Sequence, residues 1–396
     1  MAKKLGLHDL DVHGKRVLVR VDFNVPMDGT QITDNTRIRA TLPTILELIR
    51  CRAKIILATH LGRPEDFDST LSTEPLAVEL SRLIGQRVKH VVDCVDTEVE
   101  AVVSELQEGD VLLIENVRFY AEETANDPIF AQKLASLADV YVNDAFGAAH
   151  RAHASTEGIT HHLDECAAGL LMEREIASLS RVMQDAKRPF VTILGGAKIS
   201  DKLGVIENLF SKVDELIIAG GMAYTFLQAM GMQIGESIVE LDKLGLANEL
   251  LKQAAQRNLT IHLPYDHVIG DDFSPDTSSQ VVPRGQIPDG WEGLDIGTET
   301  VSKFGEVINR AKTIVWNGPL GVYEFDRFAR GTIEIAKCVA ASEAFSLIGG
   351  GDCVAAVGKA GVANQISHIS TGGGASLEFL EGKQLPGIEA LTDKVD

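Results

Sequence analysis

Short apolar runs rich in β-branched residues alternate with segments of helical periodicity through the first half of this chain of 396 residues. The apolar runs predict strands at 16–23, 54–60, 88–92, 111–119 and 140–146. Apolar positions at helical spacing predict helices at 41–50, 74–84, 98–106 and 130–137. Strands that alternate with helices in this way favour a mostly parallel sheet covered by helices on both faces.

In the second half, the predicted strands end in glycines. Apolar runs at 191–194, 215–219, 313–316, 345–348 and 367–370 are each followed closely by two or more glycines. Turns of this kind between a strand and a helix expose backbone amides that can hold phosphate groups. The segment 266–299 is rich in Pro, Gly, Asp and Ser, and it predicts long loops with short strands.

The two halves predict an α/β fold class with two Rossmann-like lobes, each a mostly parallel sheet flanked by helices. A helical pattern at 166–185 precedes Lys187-Arg188-Pro189, which introduces the first strand of the second half, so this helix is the expected connection between the lobes. The predicted organisation is an N-terminal lobe at 1–168, an interlobe helix at 169–186, a C-terminal lobe at 187–375 and a segment at 376–396 that packs back onto the N-terminal lobe.

Basic residues follow the predicted strands of the first half. Ligands of open α/β sheets gather beyond the carboxyl ends of the strands, and the arginines near these ends are Arg37, Arg63, Arg118 and Arg151. Any one of them could form an ordinary surface ion pair. Four at neighbouring ends favour a site for a small anion with several charges, because guanidinium groups bind carboxylate and phosphate bidentately.

The stretch Gly195–Lys202 predicts a second anion site. If the chain is helical from Ala197 onward, Lys198 and Lys202 share one helix face, beside a glycine pair that lets a ligand approach the backbone. The spacing is not that of a Walker A loop. A strand–turn–helix with two solvated lysines is the alternative. Asp352, after a triple glycine, is a candidate Mg²⁺ ligand or a helix N-cap.

Composition and charge narrow the class of protein. The net charge of −20 disfavours binding to nucleic acid or to anionic membranes. No apolar run is long enough for a membrane span, and the N-terminus lacks the apolar core of a signal peptide. Five scattered cysteines without a C-x-x-C pair fit a reduced cytoplasmic protein. A metal site at His60, His150 and His153 is disfavoured because no cysteine or carboxylate lies at ligand spacing.

A basic half and a glycine-rich half suggest that one lobe holds a small anion and the other a nucleotide. Bringing the two together is the geometry of phosphoryl transfer, which needs no protein nucleophile. A nucleotide-dependent dehydrogenase is the rival enzyme class, but no strand is followed by G-x-G-x-x-G with an acidic residue near the end of the next strand. A two-lobed binding protein for an anionic metabolite is the alternative without catalysis.

The motifs, in their order, resemble those of the phosphoglycerate kinase family, in its bacterial form, from residue 15 to residue 393. They are RVDFNVP at 20–26, DNTRI at 34–38, THLGRP at 59–64, ENVRF at 115–119, NDAFG at 143–147, His150-Arg151, GGAK at 195–198, WNGP at 316–319, GGGD at 349–352 and STGGGA at 370–375. The resemblance implies reversible phosphoryl transfer between ATP and 3-phosphoglycerate, which gives ADP and 1,3-bisphosphoglycerate in glycolysis and gluconeogenesis. It also implies Mg²⁺ as cofactor and a cytoplasmic monomer whose lobes close about a hinge helix.

The resemblance also assigns expected roles to residues. The acceptor is expected to bind Asp22, Asn24, Arg37, His60, Leu61, Gly62, Arg63, Arg118 and Arg151. The nucleotide is expected to bind Gly196, Lys202, Gly220, Gly293, Asn317, Glu324, Gly350, Gly351, Asp352 and Cys353, with Glu324 at the ribose and Asp352 at the metal. Stabilisation of the phosphoryl group in transfer falls to Arg37 and Lys198, with the amides near Gly351 and Gly374.

The chain departs from the family pattern at two positions. Cys353 stands where the family has Thr or Ser, which removes a hydroxyl beside the nucleotide phosphates and predicts that thiol reagents lower activity unless ATP protects. Thr298 follows Gly297 where the family often has Pro, and we expect only a small change in loop stiffness.

Overall fold

The computed structural model describes residues 3–394, which form two compact units. The first unit comprises residues 3–177 and 384–394, and the second comprises 178–383. Each unit is built on a six-stranded sheet in which every neighbouring pair of strands is parallel. The predicted α/β fold class with two mostly parallel sheets is confirmed.

The sheet of the first unit has the strand order β5-β6-β4-β1-β7-β8. Its strands are β1 (Arg16–Arg20), β4 (Lys54–Ala58), β5 (Val88–His90), β6 (Val111–Leu113), β7 (Val140–Asn143) and β8 (Cys166–Ala168), and a short antiparallel pair is formed by β2 (Met27–Asp28) and β3 (Gln31–Ile32). The central strands are buried almost throughout, as the continuous apolar runs of a sheet covered on both faces require.

Five helices of the first unit bury apolar side chains, and the buried residue of a sixth, short helix is Glu123. They are α1 (Thr36–Arg50), α2 (Glu74–Ile84), α3 (Thr97–Ser104), α4 (Ala121–Thr124), α5 (Pro128–Ser136) and the later α14 (Pro386–Glu389). Helix α1 begins five residues before the predicted 41–50 because the Asp34 side chain accepts a hydrogen bond from the Thr36 amide (2.7 Å) and starts the first turn. Arg37 therefore lies in the first turn of α1 rather than in a loop.

Two segments connect the units along the chain. Helix α6 (Leu170–Gln184) contributes residues to both units, and it starts four residues after the predicted 166 because 166–168 form β8. After residue 383 the chain returns to the first unit, where the amide of Gly387 donates to Ala149 O (2.9 Å) and the amide of Leu5 donates to Thr392 O (2.8 Å).

The sheet of the second unit has the strand order β12-β10-β9-β17-β18-β19. Its strands are β9 (Phe190–Leu194), β10 (Glu215–Ile218), β12 (Thr260–His262), β17 (Thr313–Asn317), β18 (Phe345–Gly349) and β19 (His368–Ile369). The stretch predicted as loops with short strands holds a small antiparallel sheet of β13 (Asp266–Gly270), β14 (Ser279–Pro283) and β16 (Glu292–Ile296), and β11 (Gln233–Ile234) pairs with β15 (Gln286–Ile287).

Seven helices described in the second unit follow its strands. They are α7 (Leu203–Leu209), α8 (Met222–Ala229), α9 (Leu244–Gln256), α10 (Thr298–Arg310), α11 (Arg330–Ala341), α12 (Gly351–Lys359) and α13 (Gly374–Leu380). The core of this unit includes Trp316, Phe304 and Ile193, each without exposed surface. Between residues 3 and 394, none of the helices has the length and apolar character needed to cross a lipid bilayer.

Candidate active site

Four adjacent strands of the first unit carry polar and basic residues just beyond their carboxyl ends. Asp22 and Asn24 follow β1, the segment 60–63 follows β4, Arg118 follows β6 and Arg151 follows β7. Because these strands are parallel neighbours, their ends meet at one edge of the sheet. Arg63, Arg118 and Arg151 line one open cavity of about 440 Å³ there, so the structure brings together three of the four predicted arginines.

Arg37, the fourth arginine, is held at this edge by two oxygen atoms. Its Nη1 atom donates to Asp22 Oδ2 (3.0 Å) and to the carbonyl of Asn24 (3.2 Å). About a third of the Arg37 side chain (36%) is exposed, so part of its guanidinium group is open to a ligand. Asp22 thus orients the arginine that the family resemblance assigns to the phosphoryl group.

Arg20 and His60 form a buried pair behind the cavity. The Arg20 side chain is fully buried, and its Nη2 atom lies 3.1 Å from His60 Nδ1. A guanidinium group can only donate, so Nδ1 of His60 must accept and its proton must reside on Nε2. Burial, and then the charges of Arg20, Arg118 and Arg37, hold the pKa of His60 well below its ordinary value. His60 is therefore a neutral imidazole that carries its proton on Nε2.

Arg20 is balanced from the other side by a buried carboxylate. Its Nε atom donates to Ser155 Oγ (2.7 Å), and that hydroxyl donates to Oε1 of the fully buried Glu123 (2.6 Å). Sequence analysis did not assign a role to Arg20. The signal was present, because an arginine inside the apolar run of β1 is a charge that needs buried partners.

The electrostatic environment of this edge is strongly positive. Burial together with Arg20 and Arg151 lowers the pKa of Arg118 to about 10, and burial together with Arg118 and Arg20 lowers the pKa of His153 to about 4. Nε of Arg118 is buried and has no hydrogen-bond partner within residues 3–394. A bound anion would relieve the mutual repulsion and provide the missing acceptor.

The lysine-containing loop of the second unit differs from the prediction. Residues 195–199 are not helical; a 3₁₀ turn spans Ser200–Lys202 and α7 begins only at Leu203, so Lys198 and Lys202 do not share a helix face. The loop is instead held by the remote carboxylate of Glu240, whose Oε2 accepts from the amides of Ile199 (2.6 Å) and Ser200 (3.2 Å). Lys198 is exposed, whereas Lys202 is partly buried.

A cavity of about 390 Å³ lies at the carboxyl ends of the second sheet. Five residues predicted to bind the nucleotide line it, namely Gly196, Gly220, Gly293, Glu324 and Asp352. Gly220 has φ +67°, and a Cβ atom there would lie 2.8 Å from the backbone of Gly196, so the two turns can meet only without side chains. A side chain at Gly293 would collide with the Tyr224 hydroxyl.

Lys202, Asn317 and Gly350 form a polar group together. Nζ of Lys202 donates to Asn317 Oδ1 (2.5 Å), and burial lowers the pKa of Lys202. Nδ2 of Asn317 is buried without a hydrogen-bond partner in the described chain, and a Cβ atom on Gly350 would lie 3.2 Å from it. An anion placed against Lys202 and Asn317 would accept from both donors.

Two predicted glycines open helices. Gly351 is the first residue of α12 and Gly374 the first of α13, so their amides have no partner within the helix. Asp352 lies in the first turn of α12 with an exposed carboxylate, 3.4 Å from the Tyr323 hydroxyl. Within residues 3–394, no cluster of three or more His, Cys, Asp or Glu side chains could hold a metal ion, including one around His60, His150 and His153.

The surroundings of Cys353 oppose the thiol sensitivity expected from the sequence. Its side chain has no exposed surface, and Sγ lies 4.0 Å from the Gly318 carbonyl. Burial raises the pKa of the thiol well above its ordinary value. The reactive form of cysteine is the thiolate, so the structure predicts slow modification by thiol reagents rather than the sensitivity expected from the sequence.

The apolar walls of the second cavity were not identified from the sequence. Tyr224, Ile238, Phe273, Leu294 and Val322 line it together with Ala197. These residue types are ordinary core residues, so no local pattern distinguishes them. A planar apolar ligand group with phosphates directed to the glycine turns fits such walls.

Comparisons with known proteins agree on one family. The family model described as phosphoglycerate kinase matches residues 7–383. A phosphoglycerate kinase of Moorella thermoacetica is 56% identical over 392 residues, which cover 99% of this chain and 100% of the relative. One of Koribacter versatilis is 55% identical over 401 residues, with coverage of 99% and 100%.

Solved structures show the same similarity in three dimensions. The structure of phosphoglycerate kinase from Coxiella burnetii superposes with a TM-score of 0.90 at 39% identity and covers 98% of both chains. That of phosphoglycerate kinase from Pyrococcus horikoshii OT3 gives a TM-score of 0.84 at 35% identity, again over 98% of both chains.

Proposed function

The chain belongs to the phosphoglycerate kinase family, and we propose that it transfers the γ-phosphoryl group of ATP to the carboxylate of 3-phosphoglycerate, reversibly, with Mg²⁺. The products are ADP and 1,3-bisphosphoglycerate, and the reaction serves glycolysis and gluconeogenesis. The observation that carries the proposal is the contrast between the two sites. An arginine-lined cavity suits a small anion, and a glycine-turn cavity with apolar walls suits a nucleotide.

The acceptor fits the arginine-lined cavity by its charges. 3-Phosphoglycerate carries a phosphate and a carboxylate, and each can be held by guanidinium groups such as those of Arg63, Arg118 and Arg151. His60, Leu61 and Gly62, which are also expected to bind the acceptor, belong to the loop that follows β4 and leads to Arg63. Asp22 and Asn24 hold Arg37, whose free side faces the group in transfer.

In the transfer step a carboxylate oxygen of the acceptor forms a bond to the γ-phosphorus while the bond from that phosphorus to the β,γ-bridging oxygen breaks. The bridging electron pair leaves with ADP, so no proton need be transferred and no protein nucleophile is required. We propose that Arg37 and Lys198, with the amides of Gly351 and Gly374, balance the charge that spreads over the phosphoryl oxygens. Lys202 and Asn317 hold the phosphates that remain on the nucleotide.

The donor set fits Mg²⁺. This cation takes one or two carboxylates together with phosphate oxygens and water, and Asp352 offers one exposed carboxylate on the wall of the nucleotide cavity. Bound there, Mg²⁺ would neutralise charge on the nucleotide phosphates. Glu324 lines the same cavity and is proposed to accept hydrogen bonds from the ribose.

The proposal requires both units in one catalytic cycle. The acceptor residues belong to the first unit and the nucleotide residues to the second. We propose that the units, an N-terminal lobe and a C-terminal lobe, close about the connecting helix during turnover and thereby exclude water from the reaction. As the family resemblance implies, the enzyme is proposed to work as a cytoplasmic monomer.

A direct assay tests the proposal against its rivals. The purified chain is incubated with Mg²⁺, ATP and 3-phosphoglycerate; ADP is measured, and the acyl phosphate is trapped with hydroxylamine as a hydroxamate. We expect equal amounts of ADP and hydroxamate, both dependent on 3-phosphoglycerate. Binding of 3-phosphoglycerate by folded protein without ADP formation would favour a binding protein, and NAD-dependent turnover would favour a dehydrogenase.

A further inference from the structure

Asn116 lies between β6 and Arg118 in the ENVRF motif, and the roles described above leave it unused. Its side chain is completely buried, although it carries two donor hydrogens and a carbonyl oxygen. Burial of an amide side chain costs folding free energy unless its hydrogen bonds are made. The hydrogen-bond partners of Asn116 therefore indicate which part of the structure it stabilises.

The Asn116 side chain binds the loop that follows β4. Its Oδ1 atom accepts from the amide of Leu61 (3.2 Å), and its Nδ2 atom donates to the carbonyl of the same residue (2.7 Å). One amide group therefore pairs with both backbone groups of Leu61, as a neighbouring strand would. The same Oδ1 accepts from the amide of Arg118 (3.1 Å), and Nδ2 also donates to Leu71 O (3.0 Å).

The next residue of the loop is held by two residues of the anion site. The amide of Gly62 donates to Asn24 Oδ1 (2.9 Å), and its carbonyl accepts from Arg118 Nη1 (2.7 Å). The backbone at 61–62 is thus bound to side chains at every polar group. Asn116 supplies half of these bonds and connects the loop to the backbone of Arg118.

Glu115 fixes Asn116 itself. Its carboxylate is buried, and Oε1 accepts from the amides of Asn116 (2.7 Å) and Thr73 (2.7 Å) while Oε2 accepts from the Ser72 hydroxyl (2.7 Å). The donor and acceptor atoms of Asn116 are therefore presented from a rigid base.

We propose that Asn116 is a positioning residue that sets the loop 60–63 against Arg118 and so determines affinity for the anionic acceptor. The inference rests on the proposed function for the identity of that acceptor as 3-phosphoglycerate. Asn116 does not touch the ligand in this account. It acts by keeping His60, Gly62 and Arg118 at the spacing that the ligand requires.

Steady-state kinetics of Asn116→Ala test the proposal, with Asn143→Ala as the matched control. Asn143 is equally buried at the end of β7 in the same sheet, but its side chain bonds Gly387 O (3.0 Å) and the Ala145 amide (3.1 Å). Loss of two bonds to the loop is expected to raise KM for 3-phosphoglycerate about tenfold in Asn116→Ala, with KM for ATP unchanged. Asn143→Ala should leave both KM values within about twofold. Equal KM values in wild type and Asn116→Ala, or the same rise in both variants, would overturn the proposal.

Asn116→Asp provides a second readout that a general loss of stability would not produce. When it is ionised, the new carboxylate faces the carbonyl oxygens of Leu61 and Leu71. When it is protonated, the carboxyl group regains one hydrogen-bond donor, and burial raises the pKa of this group. The ratio of its KM for 3-phosphoglycerate to that of wild type should therefore fall as the pH is lowered from about 8 to about 6. A ratio independent of pH contradicts the proposal, and this variant also replaces Asn116→Ala if that protein does not fold.

Hydrogen exchange separates this inference from the proposed function. If wild type shows no turnover with 3-phosphoglycerate, the proposed function fails. The exchange rate of the Leu61 amide still tests the positioning role of Asn116 in that case. Its exchange should be faster in Asn116→Ala than in wild type, with the exchange of Ile56 in β4 unchanged. Equal exchange at Leu61 in the two proteins would reject the role.

Discussion

At the scale of single residues, burial decides the charge of the histidines. His60 and His153 lie among arginines in the first unit, and His267 lies fully buried in the second, 3.3 Å from the Tyr224 hydroxyl. Burial is the first cause of the lowered pKa in each case, and the pKa of His267 falls to about 4. All three side chains are therefore uncharged at neutral pH, so the acceptor-binding role proposed for His60 would be that of a neutral hydrogen-bond donor.

The buried His267 predicts a loss of stability in acid. Its pKa is lower in the folded chain than in the unfolded chain, so the unfolded chain binds the extra proton as the pH falls. The contribution to stability is present above the unfolded pKa of 6.5 and is lost as the pH falls towards about 4. Between about pH 7.5 and pH 5, wild type should lose about 2 kcal/mol more unfolding free energy than His267→Leu. Urea denaturation at the two pH values measures the difference. Identical losses of unfolding free energy in the two proteins would show that the pKa of His267 is not lowered in the folded chain.

The buried Cys353 predicts selective modification by iodoacetamide. Cys51 and Cys338 are partly exposed, whereas Cys353 has no exposed surface. Burial raises the pKa of both Cys338 and Cys353, and it raises that of Cys353 well above its ordinary value. Mass spectrometry of the folded protein should find label on Cys51 and Cys338 long before Cys353, with activity retained at that stage. Early labelling of Cys353, accompanied by loss of activity that ATP prevents, would instead support the expectation from the sequence.

At the scale of elements, one carboxylate holds the end of the lysine loop, just before the 3₁₀ turn that leads into α7. Glu240 accepts from the amides of Ile199 and Ser200 and from the Ser200 hydroxyl (2.5 Å). Its own amide donates to Thr225 Oγ1 (3.1 Å) in α8, whose neighbour Tyr224 lines the nucleotide cavity. Glu240 therefore connects the loop that carries Lys198 to the wall of that cavity.

Removal of this carboxylate should impair catalysis through the loop. Glu240→Ala loses three hydrogen bonds of about 0.5–1.5 kcal/mol each, and we expect kcat to fall about tenfold or more. Glu240→Gln retains one oxygen for the two amides and can donate to the Ser200 hydroxyl, so it should keep most of the activity. Glu249→Ala, which removes an exposed carboxylate of α9, is the control. A kcat for Glu240→Ala equal to that of the control would mean that the loop needs no such support.

Local sequence patterns were sufficient to predict most strands and the arginines at their ends. They were not sufficient to predict where several helices begin. The apolar runs predicted ten of the twelve strands of the two large sheets, because buried parallel strands are continuous in sequence. They missed β12, and residues 166–168, which form β8, were predicted as the start of a helix. The start of α7 was predicted wrongly. The loop before α7 is held by Glu240, which is about forty residues away along the chain and so cannot be recognised from the local pattern. The anion-site arginines were visible at strand ends, whereas Arg20 and Asn116 act from buried positions whose partners only the folded chain brings together.

At the scale of the whole molecule, the two units form their candidate anion sites by different means. The chain has a net charge of −20, yet the first unit gathers Arg20, Arg37, Arg63, Arg118 and Arg151 around one sheet edge. The second unit relies on glycine turns, helix starts and a partly buried Lys202. This division would keep each proposed anionic substrate at a local positive site on a protein that otherwise repels anions.

The measurement that tests this division most directly is a comparison of both KM values in two variants, one for each unit. Arg118→Met keeps bulk but removes a guanidinium group from the first unit, and Lys202→Met removes the ammonium group beside Asn317 in the second. The account predicts that Arg118→Met raises KM for 3-phosphoglycerate at least about tenfold with KM for ATP unchanged, and that Lys202→Met does the reverse. A rise in KM for the same substrate in both variants would contradict it.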